Sequence, residues 1–177
     1  MVPGTVYNHF RTRDDVLEAL AVALSTTLNE RVVQSYREIA DGAQRMSIGI
    51  RRFLWLAETS PPWAMLLLQL SMAFPQVIEA VKPYSLADLR LARSQGRFSV
   101  ADEVAAIDMV FGTCLRAMQR IAGGEVDSPQ DYAVELLKML LCGLGMTPDE
   151  AAEVMARPLP PFVSPAPAPK AHARRVA

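Results

Sequence analysis

The residues best suited to chemistry stand close together at the beginning of the chain: Thr5, Tyr7, Asn8 and His9, with Arg13 a few positions on. Val6 and Phe10 are four apart, so on a helix they share one buried face and leave Thr5, Tyr7, Asn8 and His9 pointing outward. Hydroxyls, an amide and an imidazole presented together can donate to phosphate oxygens and to base edges in a DNA groove. Tyr7 suits packing at a helix junction equally well, and Arg13 suits a solvated position, so the spacing by itself leaves both uses open. Patterns that support turnover are missing. His9 and His172 are isolated, no nucleophile sits in a triad motif, and no phosphate-cradling loop occurs. Cys114 and Cys142 lie in separate apolar helical patterns, which supports neither a disulfide framework nor a zinc site. No cofactor is expected, and the chain does not read as an enzyme.

The elements that must position these groups read as helices throughout. The chain has 177 residues, 51% of them hydrophobic and 21% charged, with a formal net charge of -1. That balance encodes a buried core and gives no overall basic footprint for nucleic acid. Thr12 with Asp15 three residues on marks a helix start, and Leu17, Leu20, Leu24, Leu28, Val32, Tyr36 and Ile39 continue it as one stripe, with Gly42 as its stop. A second helix is expected from about Ala43 to Thr59. An almost wholly apolar one, Trp63 to Phe74, is expected to be enclosed on most sides. Shorter pieces follow on either side of Pro83, then long helices from about Val100 to Ala122 and from Pro129 to about Leu144, and a short last one capped by Thr147. No stretch shows strand alternation, so the fold class is all-α. Residues 158–177, rich in proline and alanine, are read as a disordered tail. The apolar Trp63–Phe74 run is too short to cross a bilayer, and the N-terminus lacks a signal-peptide pattern. The protein is placed in the cytoplasm with no membrane partner.

The run Val2-Pro3-Gly4-Thr5-Val6-Tyr7-Asn8-His9-Phe10-Arg11-Thr12-Arg13-Asp14-Asp15-Val16-Leu17 resembles the end of the helix-turn-helix in the TetR/AcrR family of transcriptional regulators. Thr5, Tyr7, His9, Phe10, Arg13, Asp15 and Leu17 match that family's pattern of recognition helix, tight turn and acidic helix start. The resemblance implies that Tyr7, His9 and Arg13 contact the DNA backbone and that Thr5 lies near bases. The two helices that precede the recognition helix in the family do not precede it here. The chain is therefore expected to be the remnant of a helix-turn-helix (residues 1–41) followed by a helical-bundle domain for ligand binding and dimerisation (42–157), with impaired DNA binding.

For the bundle the resemblance implies a homodimer built on the last two long helices. Tyr132 to Leu144 is apolar on two flanks, one for the protomer core and one for a partner, or both for a core that wraps it. Leu115, Ala122, Val134, Leu137 and Leu141 are the interface candidates. A moderately apolar effector is implied as well, with Trp55, Trp63, Met65, Met72, Phe74, Phe111 and Met118 as pocket or core residues and Gln69 and Arg116 as groups that could orient it. The expected function is a ligand-responsive repressor whose long first helix transmits the signal to operator DNA. The alternative is a helical ligand-binding or dimerisation module that does not act on DNA.

Overall fold

Thr12 opens the first helix as its spacing predicts: its Oγ1 accepts from Asp15 N at 3.1 Å, and the Asp15 carboxylate accepts from Thr12 N at 2.9 Å. These distances come from a computed structural model that describes residues 12–162. All regular elements among the described residues are helical: α1 (Arg13–Ser35), α2 (Gly42–Thr59), α3 (Pro61–Ala73), α4 (Pro75–Ser94), α5 (Glu103–Ala122), α6 (Pro129–Gly143) and α7 (Pro148–Ala156). Ser128 and Thr147 cap α6 and α7 as expected, and Asp102 caps α5, which starts at Glu103 rather than near Val100.

Several expectations change. The first helix ends at Ser35, four residues before Ile39, and the chain turns through Tyr36. Gly42 is not its stop but the first residue of α2, where a Cβ would lie 2.4 Å from the Ala92 backbone nitrogen. Only a glycine lets the start of α2 approach the end of α4 so closely. The buried face of α1 follows its leucine stripe only in the second half of the helix, where Leu28 lines the interior and Val32 is buried. Ala21, Ser25, Asn29 and Val32 are buried, whereas Leu17 and Leu20 are exposed.

Helix α3 is less enclosed than its composition suggests, because its neighbours cover one side alone. Ala64 and Leu67 are its buried residues, and Met72 is 81% exposed. Pro83 does not divide α4, which runs unbroken on both sides of it. The ring removes one backbone hydrogen bond, and burial of Val77, Val81, Leu89 and Ala92 along the same helix offsets the loss. At Phe74 the axis turns by 105° between α3 and α4, and no single described helix is long and apolar enough to cross a membrane.

The main core lies where α2, α5, α6 and α7 meet, around Ile107, Leu137, Leu141, Leu144 and Val154. The linker Gly96–Ser99 is pinned to it: Phe98 is buried and Ser99 N donates to Leu144 O at 2.9 Å. Gly145, at φ +106°, makes the sharp exit from α6 that this contact requires. A polar knot ties the ends together. Asp41 caps α2 by accepting from Ala43 N and Gln44 N, and it also pairs with Arg157 at 2.8 Å and Arg97 at 3.5 Å. Beyond α7 residues 158–162, expected as part of the tail, return along α2 instead. Leu159 and Phe162 pack on a second cluster of Val32, Tyr36 and Ile48, Arg52 donates to Pro160 O, and the Arg52 guanidinium lies 4.8 Å from the Phe162 ring centre.

Candidate ligand-binding site

Small and polar side chains on the inner face of α1 are what open the interior. Ser25 and Asn29 stand where a leucine-sized side chain would fill the space against α4, and a cavity of about 90 Å³ remains between α1, α2, α3, α4 and α5. Its apolar lining includes Phe53, Leu67, Val110, Phe111 and Met118. The polar residues of the lining are Ser25, Asn29, Tyr36, Ser71, Tyr84, Ser85 and Asp88. A buried polar atom without a partner costs roughly 1–3 kcal/mol, and two belong to residues that line this cavity: Ser25 Oγ and Asn29 Nδ2 are buried and make no hydrogen bond.

Tyr36 and Asp88 engage each other. Tyr36 Oη donates to Asp88 Oδ2 at 2.8 Å, and Arg45 Nε lies 3.0 Å from Asp88 Oδ1 with its guanidinium over the Tyr36 ring at 5.4 Å. Burial pushes the Asp88 carboxyl above the ordinary aspartate range, and the Tyr36 hydrogen bond and the Arg45 charge pull it partly back. Burial first, and then Asp88, raise the Tyr36 hydroxyl above its usual value and keep it a donor. Burial also pushes the Cys114 thiol, on the cavity wall, up to about 12, so it remains neutral and unreactive.

Of the ligand residues expected from sequence, Phe111 and Met118 line this cavity. Met65, Gln69, Met72 and Arg116 line a more open groove of about 640 Å³ between α3 and α5. Leu68 and Leu115 border both spaces and form the partition between them. Trp55, Trp63 and Phe74 line neither; Trp55 packs edge-on against Phe162, with ring centres 6.1 Å apart. Ser25, Asn29, Tyr36 and Asp88 were not anticipated. The signal available was the polar break at every fourth position of an otherwise apolar helix face, which the stronger leucine stripe masked.

Arg13 is the first residue of α1 and is exposed, while Thr5, Tyr7, Asn8 and His9 lie outside the described residues. Among the interface candidates, Leu137 and Leu141 are fully buried in the protomer core, and Leu115, Ala122 and Val134 are partly buried. The apolar side chains that α5 and α6 leave exposed are Val104, Met109 and Met139, the last at 72%.

A bent helical bundle closed around an internal cavity, with a long helix leading away from it, defines a helical ligand-binding domain of the TetR regulator type. Residues 41–157 match the family described as "Tetracyclin repressor-like, C-terminal domain", and the chain belongs to that family. Solved structures carry the same fold. The crystal structure of RolR in complex with the ligand resorcinol superposes with a TM-score of 0.75 at 24% identity, covering 92% of this chain and 81% of that one. RolR without ligand gives a TM-score of 0.72 at 25% identity, covering 90% and 82%. No curated protein matches by sequence.

Proposed function

We propose that this chain is a ligand-responsive transcriptional repressor of the TetR type, acting as a cytoplasmic homodimer on operator DNA when its helix-turn-helix domain is complete. The observation that carries the reading is that one helix serves both sites. The inner face of α1 supplies Ser25, Leu28 and Asn29 to the cavity, and its N-terminal end at Thr12 and Arg13 continues from the segment that resembles a recognition helix. A ligand that binds the cavity more tightly in one orientation of α1 shifts the spacing of two recognition helices, and it does so only by that difference in affinity. Thr5, Tyr7, Asn8, His9 and Arg13 are the proposed DNA contacts. The exposed apolar side chains of α5 and α6, with Leu115, Ala122 and Val134 at their edges, are the proposed dimer face; Leu137 and Leu141 hold α6 to its own protomer. The effector is a compact, moderately apolar molecule, and the resorcinol complex of RolR supports starting with single-ring compounds.

The test is anisotropy of labelled DNA taken from beside the gene, titrated with the protein and then with effector. Binding released by effector, and a Leu28→Ala protein that still binds DNA but no longer releases it, is the expected result. A protein that binds effector and never binds such DNA would instead be a ligand-binding module.

A further inference from the structure

We propose that the inner cavity selects an uncharged ligand whose one edge carries an oxygen acceptor for Asn29 Nδ2 and Ser25 Oγ and whose other edge is an apolar ring. This rests on the cavity being the effector site, and it adds the chemistry that site recognises. Asn29 and Ser25 are each 7% exposed, both line the cavity, and their Nδ2 and Oγ are buried without partners. They stand four apart on α1, so neighbouring side chains can meet one edge of a single small molecule. An amide nitrogen offers only a hydrogen, and a hydroxyl can give or take one, so the complementary ligand atom is an oxygen acceptor.

The rest of the lining disfavours charge. Asp88 is the one charged residue lining the cavity, with Arg45 on one of its oxygens and Tyr36 on the other. An anion would enter a space with no cation among its lining residues and a carboxylate nearby, and a cation would have to share Asp88 with Arg45, whose like charge opposes it; either pays a desolvation cost that this lining repays poorly. The Ser71 hydroxyl, also on the wall, is spent on Leu67 O at 2.8 Å. Elsewhere in the lining, Phe53, Phe111 and Met118 offer no hydrogen bond from their side chains and favour a ring. A ligand bonded to Ser25 and Asn29 is bonded to α1 itself, which gives it a direct hold on the helix that must move.

Calorimetric titration of the full chain with four probes of similar size tests this: phenol, toluene, benzoate and benzylamine. Phenol is expected to bind at least tenfold more tightly than each of the others. In a Ser25→Ala/Asn29→Leu protein phenol should fall to the level of toluene, with toluene unchanged or improved. Toluene, benzoate or benzylamine matching phenol in the unaltered chain overturns the proposal, with no variant needed. Phe111→Trp, which fills the cavity, separates the two ideas. If the probes bind without preference and Phe111→Trp abolishes all binding, the cavity is the effector site and the selection rule is wrong. If Phe111→Trp leaves every affinity unchanged, the cavity reading has failed and this inference with it.

Discussion

Two regions of one helical domain are built by opposite rules. Around α5, α6 and α7 the interior is wholly apolar: Ile107, Leu137, Leu141, Leu144 and Val154 are at most 1% exposed, and no buried polar side chain interrupts them. Between α1 and α4 the interior holds Ser25, Asn29, Tyr36 and Asp88, leaves two polar atoms unpaired, and encloses empty space. The first region maximises burial, which is the main source of folding stability. The second gives stability up, and regions poised for binding are commonly the ones that do so. Stability and response should therefore be separable by mutation.

The largest effect is expected in the apolar region. Leu137→Ala should lower unfolding free energy by about 3–5 kcal/mol in urea denaturation while leaving the ranking of the four probes intact; a loss below about 1 kcal/mol would show that this core is not what holds the domain. Gly42→Ala should cost about 1–3 kcal/mol, because its methyl would meet the Ala92 backbone rather than a yielding side chain. Asp41→Ala removes a helix cap and two ion pairs and should cost about 1–2 kcal/mol, read by the same denaturation.

In the polar region the sign should change. Ser25→Ala removes an unpaired hydroxyl, so the melting temperature should hold or rise while the release of DNA by effector weakens. A melting temperature that falls as far as in Leu137→Ala would erase the contrast between the regions. The smallest effect is in pH. Because burial raises Asp88 above its unfolded value, the folded protein holds that proton more tightly, and stability should decline as pH rises from the ordinary aspartate value through the raised one. Asp88→Asn should flatten that slope. Arg45→Met, which removes the opposing charge, should extend the decline to higher pH, as melting curves across a pH series would show.

Much of the fold was legible because caps are local chemistry. Thr12 with Asp15, Ser128 before Pro129, and Thr147 with Glu150 each place a side-chain acceptor at a fixed offset from orphan backbone amides, and each cap forms as read. The errors share one cause. Gly42, Pro83 and the enclosure of α3 are decided by what approaches from elsewhere in the chain, and the letter alone does not carry that. The same holds for the site. Phe111 and Met118 were found because large apolar residues on a stripe are conspicuous. Ser25 and Asn29 were missed because a polar residue on an inner face looks like an outer one until its neighbours are known.

The contact at Gly42 has a mechanical side. With α2 and α4 packed backbone to backbone at Ala92, direct contact opposes any closer approach there and leaves a tilt about that point, like scissor blades about a rivet, as the easier movement. Pro75, where α4 begins, lies about 26 Å away along a rise of 1.5 Å per residue, so a tilt of about 5° at the rivet carries that far tip by about 2 Å. A molecule no larger than one ring, lodged between the blades, can thus produce a displacement comparable to its own thickness at the end of the lever.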